Sequence, residues 1–221
     1  MIKVHHLNDS RSQRVLWLLE ELGLEYEVIR YERDPVSRLA PPALVAVHPL
    51  GKSPVIQDGA VTVAETGAIV EYLLETYGQG RLRPAAGTED SRRFTYWLHY
   101  AEGSAMPPLL LKLVFTLLPR RAPALLKPLV KGVAAKALAG FVDPQLRAHI
   151  SFWEDELGRS EWFAGDDFTA ADIMMSFPVE AGADRAFDAS TKPRLNAFLH
   201  RIHGRPAYQQ ALKRGGPYSY A

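Results

Sequence analysis

The segment His48-Pro49-Leu50-Gly51-Lys52-Ser53-Pro54-Val55-Ile56-Gln57-Asp58-Gly59-Ala60-Val61-Thr62-Val63 holds two short apolar runs, 54–57 and 61–63, on either side of Asp58-Gly59. Asp-Gly in that setting marks a tight hairpin, because the turn needs a positive φ that glycine supplies without strain. The two runs therefore pair antiparallel. Pro54 opens the first of them, a position where the missing N–H does no harm to the ladder. Just upstream, Pro41-Pro42 starts a short helical turn through residue 47.

Working toward the N-terminus, residues 26–31 alternate apolar and polar with period two, and residues 15–24 carry apolar side chains at helical spacing, the helix ending at Gly23. Residues 2–7 read as a strand. A right-handed crossover makes the strands at 2–7 and 26–31 parallel. Downstream, residues 65–77 are helical again. The order is thus βαβαββα around a mixed four-stranded sheet.

Gly78-Gln79-Gly80 and Pro84-Ala85-Ala86-Gly87 then interrupt the pattern. The reading is an α/β domain over 1–79, a linker over 80–87 and an all-helical domain over 88–221. Within the last, a long helical pattern over 89–118 is expected to break at Pro107-Pro108. Pro119, Pro123 and Pro128 divide the next stretch, since proline inside a helix removes a donor and clashes with the preceding turn. Helical signals return over 130–158, 169–182, 193–203 and 207–213.

Of the 221 residues, 47% are hydrophobic and 23% charged, an ordinary balance for a self-folding globular chain. The chain has no cysteine, which excludes a disulfide framework, a thiolate metal site and a protein thiol nucleophile. Any sulfur chemistry needs a sulfur brought by a ligand. The seven histidines show no metal-ligand spacing, so no metal is expected. No signal peptide and no 18-residue apolar span is read, and the expectation is a cytoplasmic protein. Residues 1–80 carry 7 Lys or Arg against 11 Asp or Glu, and the remainder 19 against 14. An excess of cations that diffuse does not make a nucleic-acid surface.

Chemistry concentrates in Asn8-Asp9-Ser10-Arg11-Ser12-Gln13-Arg14, between the first strand and first helix. In an open α/β sheet ligands bind beyond the carboxyl ends of strands, and helix N-terminal amides there favour negative charge. A hydroxyl donor in that field would stabilise a thiolate and lower a bound thiol's pKa from about 8.5. The competing reading is that Ser10 or Ser12 only caps the helix. A cis bond before Pro54 would turn Ser53's backbone toward an extended peptide; an ordinary trans proline at a strand entry is the alternative. Glu65-Thr66 opens the next helix, where amides suit a carboxylate and the Glu65 side chain suits an ammonium. Dipole complementation by Glu65 and capping by Thr66 would explain the same pair.

In order and content these pieces resemble the glutathione transferases, close to a fungal and bacterial serine-type subgroup. The resemblance rests on the serine loop with Arg14, Pro-Leu-Gly-Lys-Ser-Pro-Val over 49–55, Glu65-Thr66 ahead of Ala-Ile-Val-Glu-Tyr-Leu over 68–73, and Phe168-Thr169-Ala170-Ala171-Asp172-Ile173. His48 stands where the family usually has Asn, and Ser53 where Val is common. The resemblance implies a thioredoxin-like domain followed by a helical bundle, with glutathione as co-substrate and a homodimer.

It also implies roles. Ser10 matches the activating hydroxyl, with Ser12 and Asp9 as alternates. Lys52, Ser53 and Pro54 match the contacts to the glycine carboxylate and cysteinyl backbone, and Glu65 and Thr66 those to the γ-glutamyl group. Thr169 and Asp172 form a structural capping box. A small hydrophobic electrophile would lie against Tyr96, His99, Tyr100, Ser104, Met106 and Leu110. Conjugation by a glutathione transferase is the leading expectation; glutathione-dependent peroxide or disulfide reduction at the same site, or non-catalytic ligand binding or regulation, are the rivals.

One stretch lies outside that pattern. Residues 103–142 contain no acidic side chain but carry Lys112, Arg120, Arg121, Lys127, Lys131 and Lys136 in an apolar, proline-broken run. Either these stems snorkel over buried helices, or the segment forms a basic apolar lip for anionic hydrophobic substrates or weak contact with an anionic membrane.

Overall fold

The computed structural model describes residues 1–37 and 39–220. Its sheet has four strands, β1 (Ile2–Leu7), β2 (Tyr26–Tyr31), β3 (Val55–Asp58) and β4 (Val61–Ala64), in the order β2-β1-β3-β4. β1 and β2 run parallel, with Ile2 opposite Tyr26 and Leu7 opposite Tyr31. β3 pairs antiparallel with both β1 and β4, and Gly59 at φ 59° makes the hairpin turn. This thioredoxin-like arrangement is the one expected from the sequence.

Among the described residues three helices complete this part: α1 (Ser12–Leu22), α2 (Pro42–Val47) and α3 (Thr66–Tyr77). α1 ends on Gly23, whose φ of 67° lets the Leu24 N–H reach back to the Leu19 carbonyl at 3.0 Å. Val15, Leu16, Trp17, Leu18 and Leu19 are all fully buried. A helix apolar on every side must be covered on every side. α1 is, with the sheet and α3 on one flank and the helical part on the other.

The second part is entirely helical: α4 (Glu89–Tyr100), α5 (Met106–Arg121), α6 (Lys127–Ala137), α7 (Asp143–Glu156), α8 (Ala170–Arg185), α9 (Pro193–His203) and α10 (Pro206–Gly215). Between the two parts, Leu82 accepts the Ala170 N–H at 2.9 Å and Arg81 donates to the Leu22 carbonyl at 3.0 Å. The turn before α4 is thus tied to both α8 and α1.

The expected break at Pro107-Pro108 does not occur. A wide π-turn over Ala101–Ala105, closed by the Met106 N–H on the Ala101 carbonyl, joins α4 to α5 without interruption. The extra residue relieves the clash that a proline imposes on the preceding turn. A second π-turn, Leu138–Val142, serves Pro144 at the start of α7 in the same way. Pro119 sits inside the last turns of α5, and Pro128 in the first turn of α6.

This continuity corrects a second expectation. The run Glu89–Arg121 contains an 18-residue window of mean hydropathy 1.3, long and apolar enough to cross a bilayer by length and composition, and 28% of that window is buried. One face of the run packs on α6 and α8. Its other face is exposed at Leu110, Val114 and Leu118.

At the start of α8 the capping box is present. Thr169 caps the helix, and Asp172, fully buried, accepts from the Thr169 and Phe163 N–H groups at 2.9 Å each. Burial pushes the Asp172 carboxyl up to about 6, against the pull of those hydrogen bonds.

Candidate functional site

The end of β1 delivers the chain to a short loop. Asp9 turns it in the left-handed region at φ 47°, Ser10 comes next, and α1 begins at Ser12. The capping reading of these serines fails in its simple form, because Arg11 holds the cap position and makes no side-chain cap bond. Ser10 Oγ instead accepts weakly from the Ser12 N–H at 3.3 Å, contacts Ser12 Oγ at 2.6 Å and lies 3.4 Å from Ser53 Oγ. Ser12 Oγ in turn lies 2.8 Å from His6 Nδ1. Asp9 turns its carboxylate away from this cluster to accept from the N–H and hydroxyl of Ser219, at 3.1 and 2.8 Å.

The bond between Ser53 and Pro54 is cis. Ser53 Oγ donates to the His5 carbonyl at 2.8 Å and accepts from the Leu7 N–H at 3.1 Å. The side chain therefore holds this loop on the end of β1. Gly51 is required beside it: its φ is 56°, and a Cβ there would come within 2.8 Å of Val45.

Ser10, Lys52 and Ser53 share a cavity of about 340 Å³ between the sheet part and the helical part. Glu65 and Thr66 stand outside its lining, at the start of α3. Glu65 holds the cap position at φ 73° with no side-chain cap bond, a strained backbone for a non-glycine residue and the kind that collects at ligand sites. Its charge acts on Arg11, which does line the cavity. Thr66, rather than capping α3, accepts from Arg14 at 3.5 Å.

The opposite wall is made by Met106, Leu110 and Leu113 of α5, Phe177 and Arg185 of α8, and Tyr220. Of the six α4–α5 residues expected to face a second ligand, the structure brings only Met106 and Leu110 to the cleft. Tyr96 and His99 are exposed elsewhere, and Tyr96 stacks on Tyr100. Tyr100 is buried, bonded to His149 and to Trp153 Nε1. Ser104 lies in the π-turn, outside the lining. The reason is phase: the additional residue in the π-turn rotates everything before it by about 100° relative to an unbroken α-helix.

Leu113, Phe177, Arg185 and Tyr220 were not anticipated. Leu113, seven residues after Met106, accords with helical spacing once the π-turn is known. α8 is buried on every side from Ala170 to Gly182, so no apolar stripe in its pattern singles out Phe177.

Arg14 joins the two parts beneath the cleft. Its side chain is 1% exposed, donates to the Met174 carbonyl at 2.7 Å and makes a short ion pair with Glu102. Burial works against the charge of Glu102, but Arg14 and Arg11 outweigh it and hold the carboxyl below its ordinary range. Among the described residues no group of three or more His, Asp or Glu side chains could hold a metal ion.

Comparison with known proteins gives this geometry its family. The family model described as Glutathione S-transferase, N-terminal domain matches residues 1–75, and that described as Glutathione S-transferase, C-terminal domain matches residues 111–206. The chain belongs to the glutathione S-transferase family. It is 31% identical to Glutathione S-transferase 3 of Schizosaccharomyces pombe over 97% of this chain and 88% of that protein. It is 33% identical to Glutathione S-transferase 1 of Saccharomyces cerevisiae over 94% and 92%. Among solved structures, a glutathione S-transferase from Actinobacillus pleuropneumoniae superposes with a TM-score of 0.82 at 31% identity, covering 97% of this chain and 93% of that one. A sphingomonad glutathione S-transferase complexed with glutathione superposes at 0.73 with 25% identity, over 97% and 98%. The chain is accordingly a transferase enzyme with glutathione as its co-substrate.

The pin between the parts of the transferase is open to test. Glu102→Ala strands a buried guanidinium and should lower the unfolding free energy by about 3 kcal/mol, the lower end for a broken buried pair because Glu102 is partly exposed. Guanidinium unfolding measures this, and an unchanged midpoint would show the pair to be idle.

Proposed function

We propose that this transferase binds glutathione across residues 1–79, holds it as the thiolate by a hydrogen bond from Ser10, and conjugates it to hydrophobic electrophiles lodged against the helical part, 88–221. The observation that carries this is the position of Ser10 Oγ. It is nearly buried at the N-terminal end of α1, in one cavity with Lys52 and Ser53 on one wall and Met106, Leu110 and Phe177 on the other. A sulfur placed there meets a hydroxyl donor and the positive end of the α1 dipole together. The hydroxyl stabilises charge and forms no covalent bond. Lys52 supplies a cation for the glycine carboxylate, Ser53 and Pro54 an extended backbone edge for the cysteinyl part, and Glu65 and Thr66 the γ-glutamyl contacts. The charge of Glu65 acts on Arg11, so a γ-glutamyl group between them would find both signs of charge.

Replacing Ser10 by Ala should lower kcat/KM toward an aryl halide by about 100-fold, the usual cost of one preorganised donor, with retention on glutathione resin preserved. An unaltered rate would refute the role given to Ser10. Turnover of cumene hydroperoxide without the aryl halide would move the reading to peroxide reduction at this site. Retention without any turnover would make the chain a binding protein.

The proposal includes a cytoplasmic homodimer. Leu125, Leu129 and Val133, on and just before α6, are 91%, 67% and 61% exposed in the single chain. They stand among the cations of 103–142, a stretch without any acidic residue, whereas residues 1–80 have the opposite balance of 7 to 11. The sheet part of a second copy therefore complements this face in charge and covers apolar surface that water would otherwise meet. Light scattering should give twice the chain mass, falling toward one chain in Leu129→Glu with Val133→Glu. A monomer that sediments with anionic vesicles would assign the face to a membrane instead.

A further inference from the structure

Behind Ser10 lies a buried chain of polar groups that thiolate binding alone does not require. His6 on β1 is 3% exposed, Ser12 0% and Ser10 5%. The contacts run from His6 Nδ1 to Ser12 Oγ at 2.8 Å, from Ser12 Oγ to Ser10 Oγ at 2.6 Å, and from Ser10 Oγ to Ser53 Oγ at 3.4 Å. Each hydroxyl has one proton, and so does a neutral imidazole. Ser53 has already committed its own to the His5 carbonyl. The remaining protons can be ordered in two ways only.

In the inward order Ser10 donates to Ser12, Ser12 donates to Nδ1, and the ring carries its proton on Nε2, with Gly215 at the end of α10 close against the ring. Ser10 then shows the cavity lone pairs and has no proton for a thiolate. In the outward order Nδ1–H donates to Ser12, Ser12 donates to Ser10, and the Ser10 proton is released into the cavity. We propose that His6 and Ser12 are positioning residues that aim the Ser10 hydroxyl, with His6 Nδ1–H heading an outward chain of donors that ends on the glutathione sulfur. The proposal rests on the role given to Ser10 above.

A hydrogen bond to a thiolate is charge-assisted and roughly twice as strong as a neutral one. The bound anion therefore selects the outward order. His6 is not a proton store: burial first, then Arg30, lower it to about 4, with Gly215, Glu32 and Asp9 pulling the other way. At neutral pH the ring is uncharged, and what it contributes is the direction of the chain.

The test uses the full-length enzyme and three variants of the chain besides Ser10→Ala. Ser12→Ala removes one oxygen; His6→Leu removes both ring nitrogens; His6→Asn restores an N–H near the Nδ1 position. The readouts are kcat/KM against pH with an aryl halide and the dissociation constant of glutathione. Ser12→Ala and His6→Leu should move the acidic limb of the profile up by about one pH unit, because the Ser10 proton, no longer aimed by a donor behind it, can turn to Ser53 Oγ instead of the sulfur, while glutathione binds as before at pH values below that limb, where its sulfur is a thiol. His6→Asn should recover most of that shift.

Profiles for Ser12→Ala and His6→Leu that superimpose on the wild type, with Ser10→Ala shifted, would overturn the chain and leave Ser10 standing. A Ser10→Ala profile that does not shift would bring down the role of Ser10 itself. His6→Asn no better than His6→Leu would overturn the directional part. Ser12→Ala, which leaves the sheet untouched, decides the question if the His6 variants fold poorly.

Discussion

Arg14 is the constraint around which the two parts of the molecule are arranged. A guanidinium buried to 1% exposure must find acceptors, and these come from three separate elements: the Met174 carbonyl in α8, Glu102 in the π-turn between α4 and α5, and Thr66 at the head of α3. Leaving such a charge unpaired is costly, so the elements cannot drift apart independently. Phe177, in the helical wall of the cleft, has its ring centroid 5.6 Å from the Arg14 guanidinium. The sheet wall of the cleft, with Ser10 and Ser53, and its helical wall, with Met106 and Phe177, are therefore held in one relative position.

The seam on either side of Arg14 is apolar and dense. Trp17 of α1 meets Tyr208 edge-on at 5.1 Å and Phe168 at 5.6 Å between ring centroids, and Glu21 takes a two-pronged ion pair from Arg205 at 2.5 and 2.9 Å. α1 thus serves as the shared core of both parts. Ser12 opens its first turn and Ser10 stands just before it, so the serine loop rests on a rigid element packed from every direction, the setting a preorganised donor needs. The C-terminal segment closes the far side, where Ser219 bonds Asp9 and Tyr220 lines the cavity.

Much of this was legible in the residues. Period-two alternation over 26–31 and the Asp58-Gly59 turn gave the strand pairing, because register and turn geometry are local properties. Thr169 and Asp172 announced the capping box for the same reason. The helix through Pro107-Pro108 was not legible: a proline signals a break, and only the three-dimensional fit of α5 on α8 shows that a π-turn absorbs it. Four of the six α4–α5 residues expected at the ligand wall, Tyr96, His99, Tyr100 and Ser104, lie off the cleft for that one-residue change of phase. Arg14 stands out as part of the motif, but its role as a pin depends on groups 52, 88 and 160 positions away in the chain. No local pattern encodes such distances.

The whole account turns on whether this loop makes a thiol more acidic. The direct measurement is a pH titration of the thiolate ultraviolet absorbance of glutathione bound to the wild-type enzyme, set against free glutathione in the same buffer. The account predicts a midpoint lower by roughly one to two pH units for the bound form, the shift a charge-assisted donor and a helix N-terminus produce together. A bound midpoint equal to the free one would contradict it.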